Sequence, residues 1–198
     1  MKKMVKKTVF VLAIGLGISS FAFAVENGTS APDFNLKDLS GKEWKLSELK
    51  GKTVVLEWNN YECPFVKKHY GAHNMQALQQ KYTKKGVTWL TINSGKKTDS
   101  AEELLKQNKE QKAFMTAYLL DSDGKVGHMY DAKTTPHMYV IDAKGSLVYQ
   151  GAIDDKATPD AADIKGSTNY VAAALDSTLK GKPVKVAFTK AYGCSVKY

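Results

Sequence analysis

Thr53-Val-Val-Leu-Glu-Trp58 is an apolar, β-branched run that reads as a buried strand, and it breaks off into Asn59-Asn-Tyr-Glu-Cys63-Pro64. Proline has a fixed φ and no N–H, which suits the first turn of a helix, so a helix is expected from Pro64. Cys63 then stands between a strand and a helix N-terminus, where unpaired N–H groups and the helix dipole favour an anion. Lys67 follows one helical turn later and is expected to add positive charge on the same face. A lone cysteine is more often a small buried hydrophobe. The proline, the junction and the polar neighbours Asn59, Asn60 and Glu62 favour a reactive, exposed thiol instead.

The N-terminal residues read as a secretory signal peptide over 1–24. Lys2, Lys3, Lys6 and Lys7 form its charged part, Val9 to Ile18 its apolar core, and Ala22-Phe-Ala24 its cleavage site. The apolar run is shorter than the roughly 20 residues of a spanning helix, so no stable membrane anchor is expected after cleavage. Residues 25–198 fit one domain with a C-terminal tail. Every one of the 29 basic residues is a lysine. Setting the signal lysines aside lowers the net charge from +9 to +5, too modest and dispersed for a nucleic-acid partner. Disulfides persist in exported chains, so Cys63 and Cys194 are a candidate pair, within one chain or between two.

Around Cys63 the sequence resembles the active-site segment of the thioredoxin superfamily, in which a strand and short loop lead to C-x-x-C at the start of a helix. Cys63 matches the first cysteine and Val66 replaces the second; Glu57 matches an acid six residues upstream. Ala31-Pro-Asp-Phe-Asn-Leu36, followed by Gly41 to Leu46, resembles the opening of peroxiredoxin-like redoxins, the alkyl hydroperoxide reductase and thiol-specific antioxidant family. The resemblance implies an α/β thioredoxin-like fold, a central mixed sheet flanked by helices. It implies that Pro136 in Thr134-Thr-Pro-His137 is the cis-proline packed against the active cysteine. It also implies that Thr135 offers its backbone to an extended substrate.

Periodicity fills in the remainder. One helix is expected from Pro64 to about Tyr82, a strand at Val87–Ile92, and a helix from the capping box Ser100-Ala-Glu-Glu103 to about Phe114. Further strands are expected at Tyr118–Leu120 and Met138–Ile141, a short helical segment at Val126–Tyr130, and a last helix opened by Thr168 or Asn169. Cys194, in Gly193-Cys-Ser195, is a poor core residue and reads as a mobile partner for Cys63.

Two activities compete within the resemblance. Peroxiredoxins hold their thiolate in P-x-x-x-T-x-x-C beside an arginine, whereas this chain has Leu56 and Asn60 at those places and no arginine. Lysine lacks the planar fork that orients a peroxide, and Asn60 offers one donor at most. Thiol–disulfide exchange needs only a thiolate and a second thiol. It is the expected activity: Cys63 attacks, Cys194 or an outside thiol resolves, and Asn60, Lys67, Thr135 and Pro136 line the substrate site. Glu57 is either a proton relay or a strand-end carboxylate reaching solvent. The expected partners are protein or small-molecule disulfides and an external reductant, with peroxides the alternative substrate and no cofactor or metal required. A third reading is a copper carrier using Cys63, His128-Met129 and His137-Met138. His69 and His73, four apart, would be a further metal pair on one helical face.

Overall fold

A computed structural model describes residues 25–95 and 99–198; the expected signal peptide lies outside the described residues. The strands and helices follow in the order β1 (Asn35–Asp38), β2 (Glu43–Lys45), β3 (Val54–Trp58), α1 (Pro64–Gly71), α2 (Asn74–Thr83), β4 (Thr88–Ser94), α3 (Ala101–Glu110) and β5 (Ala117–Asp121). They continue with α4 (Lys125–Met129), β6 (Thr134–Thr135), β7 (His137–Ile141), β8 (Leu147–Gly151), α5 (Tyr170–Thr178) and β9 (Cys194–Ser195). Seven strands form one sheet in the order β2-β1-β5-β4-β3-β7-β8. β3, β4 and β5 are parallel, and the remaining pairings are antiparallel. This is the mixed, helix-flanked sheet that the resemblance implies.

β3 and β4 are buried on both faces, and the alternation along them shows in which core each residue enters. Val54, Leu56 and Trp58 face one core with Leu90, Ile92, Tyr130 and Tyr139. Val55 faces the other, with Trp89, Met138 and Tyr149, beneath Val66, Tyr70, Met75 and Tyr82 of α1 and α2 and Leu175 of α5. Fully burying side chains of this size contributes about 1.5–3 kcal/mol each, so the aromatics dominate both layers. Period two also sends Glu57 into the second core, under α1.

Three expectations are corrected here. The single helix over Pro64–Tyr82 is two, because His73 takes the left-handed conformation (φ 56) and turns the chain between α1 and α2. His69 and His73 therefore do not share a helical face. The helix capped by Ser100, whose hydroxyl accepts the Glu103 N–H at 3.2 Å, ends at Glu110 rather than Phe114. The tail is docked, not mobile. Its residues 187–189 bond to Gln150 on the outer edge of β8, and β9 pairs with β6. No helix of the described residues is long and apolar enough to cross a membrane.

Candidate active site

Cys63 caps α1 in extended conformation with Pro64 in the first turn, and its N–H is donated to the Asn60 carbonyl at 3.0 Å. The strand–loop–helix junction is thus as expected, but the thiol is not exposed: only 3% of the residue reaches solvent. The element that covers it is the tail. Thr135 and Cys194 are directly opposite in the β6–β9 pairing, and the peptide bond from Thr135 to Pro136 is cis. The Cys63 thiol donates to the Thr135 carbonyl at 3.0 Å, and the Cys194 thiol lies near enough to influence its titration. Both cysteines are free thiols, and Cys194 is half-buried.

Burial by itself pushes the Cys63 thiol up. The Cys194 thiol, the Thr135 hydroxyl, the Val66 N–H and the Cys194 N–H together outweigh it and hold Cys63 below the ordinary cysteine value. Cys194 moves the other way: burial and the neighbouring Cys63 push it up to about 11. The Thr135 hydroxyl is buried and has no other hydrogen-bond partner, so it is free to turn toward a thiolate once the S–H proton has gone. Val66, standing where a second cysteine would be, contributes its N–H instead of a sulfur.

Thr135→Val, which keeps the side-chain volume and deletes that donor, is expected to raise the alkylation midpoint of Cys63 by about one pH unit. A hydrogen bond to a charged group is worth roughly 1.5–3 kcal/mol, and 1.36 kcal/mol is one unit. Iodoacetamide modification followed across pH checks it; an unmoved midpoint would remove Thr135 from the account.

Two side chains expected at the thiol are elsewhere. Lys67 extends into solvent, where its ammonium meets Glu62 at 3.3 Å with both side chains more than half exposed. Such a pair adds at most about 1 kcal/mol, and Lys67 is not among the groups that hold Cys63 down. Asn60 uses its side-chain oxygen to accept the Glu62 N–H at 2.8 Å, closing a turn in the loop. It shapes the junction rather than facing the thiol.

Glu57 is not a strand-end carboxylate reaching solvent. It is wholly buried, and its carboxylate oxygens accept from Trp89 Nε1 at 2.7 Å, Tyr70 Oη at 2.8 Å, Asn59 Nδ2 and Gln79 Nε2 at 3.1 Å, and Thr91 Oγ1 at 3.2 Å. Burial raises the carboxyl above its usual value despite these donors. The network ties β3 to β4, α1 and α2.

The copper reading gathers no ligand set. The His137 ring accepts from or donates to Tyr139 Oη at 3.2 Å and faces the Lys133 N–H, while His128 stacks on Tyr198 with ring centres 3.8 Å apart. His69, the other expected ligand, is enclosed between Tyr192 Oη at 3.2 Å and the Asn74 amide at 2.9 Å. Among the described residues, no group of three or more His, Cys, Asp or Glu is placed to hold a metal ion.

Sequence reasoning missed Tyr192. Its hydroxyl donates to Asp154, beside His69, and its ring lies against Phe65 at 5.8 Å, so it fixes the chain two residues before Cys194. An aromatic beside Gly193-Cys194 was the available signal, but its partner Asp154 lies in an irregular segment that no periodicity could place.

Known proteins bear on this geometry. Thiol-disulfide oxidoreductase ResA of Bacillus subtilis is 30% identical over 145 residues, covering 71% of this chain and 77% of that protein. The crystal structure of a conserved protein from Geobacillus kaustophilus, 31% identical, superposes with a TM-score of 0.75 over 87% of this chain and 92% of its own. A thiol:disulfide interchange protein DsbE from Chlorobium tepidum, 24% identical, shares the fold at a TM-score of 0.58 over 77% of this chain and 99% of its own. Residues 27–150 match the description of the AhpC/TSA family, and the chain, with its thioredoxin-like sheet, belongs to that family.

Proposed function

We propose that this protein is an exported thiol–disulfide oxidoreductase whose redox unit is the Cys63–Cys194 pair. The observation that carries the reading is that Cys194 pairs directly opposite Thr135, whose carbonyl accepts from the Cys63 thiol at 3.0 Å, with the more acidic sulfur at the helix N-terminus. The ResA relatives, named for the same chemistry, support it. Export rests on the signal-like residues 1–24.

The exchange balances as a two-electron transfer. Joining the two Sγ atoms releases two protons and two electrons, and a disulfide RS–SR takes them up to leave two thiols; an external dithiol reverses the step. The Cys63 thiolate is the more readily formed of the pair, stabilised by the Thr135 hydroxyl and the Val66 and Cys194 N–H groups. Glu57 acts below it as a support for α1. Peroxide is the poorer substrate. A peroxidase must place donors on the departing hydroxide, and here Asn60 is committed to its turn while the chain has no arginine.

One equivalent of glutathione disulfide added to the reduced protein should yield a Cys63–Cys194 bond within one chain and two equivalents of glutathione. Neither Cys63→Ser nor Cys194→Ser should form this bond, and a mixed disulfide with glutathione is the most either variant can reach. Mass spectrometry of the products is decisive. Oxidation by hydrogen peroxide faster than by the disulfide, in stopped flow, would replace this reading with a peroxidase.

A further inference from the structure

The edge of β6 beside Pro136 is the place where an extended substrate was expected to bind, and it is filled. β9 lies there as an antiparallel strand, and the Val196 N–H extends the pairing by bonding to the Lys133 carbonyl at 3.1 Å. Further anchors hold the tail on either side. Thr189 Oγ1 bonds to Tyr149 Oη at 2.7 Å and to the Ala152 N–H at 2.9 Å, Tyr192 bonds to Asp154, and Tyr198 Oη donates to the Ala132 carbonyl at 2.5 Å.

The glycines show that this docking is written into the body of the protein. Eight described glycines have open space where a Cβ would be: 28, 41, 51, 71, 86, 145, 166 and 181. At the other five a Cβ would collide, and in every case the nearest clash is between the tail and the body, although Gly127 would also meet Ser94 Oγ at 2.8 Å. Gly95 would strike the Lys197 carbonyl at 1.8 Å, Gly124 and Gly127 the Tyr198 ring at 2.8 and 2.6 Å, and Gly151 the Thr189 carbonyl at 2.3 Å. Gly193, in the tail itself, would strike the Thr135 carbonyl at 2.0 Å, and its φ of +145° is rarely open to other residues. Backbone approaches this close, drawn from separate elements, are those of a permanent strand rather than a loose end.

Resting on the Cys63–Cys194 reading, we propose that the tail is a built-in occupant of the substrate edge, and that outside sulfur enters at Cys194 rather than Cys63, which restricts the docked enzyme to small thiols and disulfides and shuts out extended polypeptides. Access favours this. Cys63 is 3% exposed behind β9, whereas Cys194 is half-buried and reachable. Leaving-group order favours it too. An outside thiolate RS⁻ that attacks the Cys194 sulfur forms Cys194–S–SR and expels the Cys63 thiolate, the more acidic of the two and the better leaving group. A second thiolate then takes RS, giving RS–SR and the Cys194 thiolate, which takes up a proton. Two electrons have moved from two thiols to the protein disulfide. Read backwards, the same path places substrate on Cys194 and uses Cys63 to resolve it, the reverse of the order expected from sequence.

The full chain, oxidised to its Cys63–Cys194 form, should be mixed with limiting glutathione and quenched within milliseconds by N-ethylmaleimide, then mapped by mass spectrometry. The expected product carries glutathione on Cys194 and maleimide on Cys63, at least tenfold over the reverse. Gly193→Val and Tyr192→Ala, each loosening the tail, should erase the preference. They should also speed reduction of the protein by a long single-cysteine peptide at least tenfold relative to glutathione. Glutathione found mainly on Cys63 of the wild-type chain would overturn the inference while leaving the redox pair intact. Failure of the oxidised pair to form or to react with glutathione at all would instead overturn the pair.

Discussion

Glu57→Ala is expected to cost about 4 kcal/mol or more of folding stability. The substitution empties a wholly buried position and leaves five donors, from Trp89, Tyr70, Asn59, Gln79 and Thr91, aimed at nothing. Each buried donor left unsatisfied costs roughly 1–3 kcal/mol, and breaking a buried charged network by removing one partner about 3–5. Domains of this size hold only about 5–15 kcal/mol in all. Glu57→Gln keeps the volume and one carbonyl oxygen but turns an NH2 toward donors, so about half that loss is expected. Urea denaturation of the two variants and the parent supplies the values. A Glu57→Ala loss below about 1 kcal/mol would show that the network is dispensable and favour the proton-relay role.

Acid is expected to weaken the fold between pH 6.5 and 4 through two buried histidines. Burial pulls His69 from the ordinary 6.5 down to about 4, with Asp154 opposing and Lys68 assisting, and does the same to His137, with Asp131 opposing and Lys133 assisting. The unfolded chain therefore binds more protons across that window. Stability is fully present above pH 6.5 and is lost as pH falls toward 4. At pH 5 each histidine should remove about 2 kcal/mol. Glu57 has the opposite sign, since its raised carboxyl regains stability as it is protonated on the way down. Denaturant titrations at pH 7 and pH 5 measure the sum. His69→Gln and His137→Gln should each flatten the difference by about 2 kcal/mol, and an unchanged difference in both would refute the assignment.

The parts of this protein that were legible in its sequence are those set by local rules. Strands β3 and β4 follow from apolar, β-branched runs, α3 from a capping box, and α1 from proline after Cys63. The cis peptide before Pro136 was reachable only by resemblance, because nothing in Thr-Thr-Pro-His itself requires it. What local rules miss is contact between distant residues. Nothing near His73 announces a left-handed turn, and helical spacing places Lys67 near Cys63 without knowing that Glu62 lies closer. The burial of Cys63 depends on a strand 131 positions away, and Glu57 needed partners from three other elements before its role could be read. Gly193 was visible as a glycine beside a cysteine, but its purpose is the Thr135 carbonyl it has to touch.

β8 is the outermost strand at its end of the sheet, and its free edge is covered by the tail residues bonded to Gln150 together with Gly28 and Thr29 bonded to Leu147. An uncovered edge is a row of unpaired N–H and C=O groups that accepts a strand from any neighbouring molecule. Whatever lifts the tail from Cys63 far enough to strip it from β8 therefore changes how the protein behaves in company. The strap that screens one sulfur also closes the Gln150 stretch of that edge to a neighbouring copy, so colloidal solubility and thiol reactivity are linked through the same fifteen-residue ribbon at roughly 184–198.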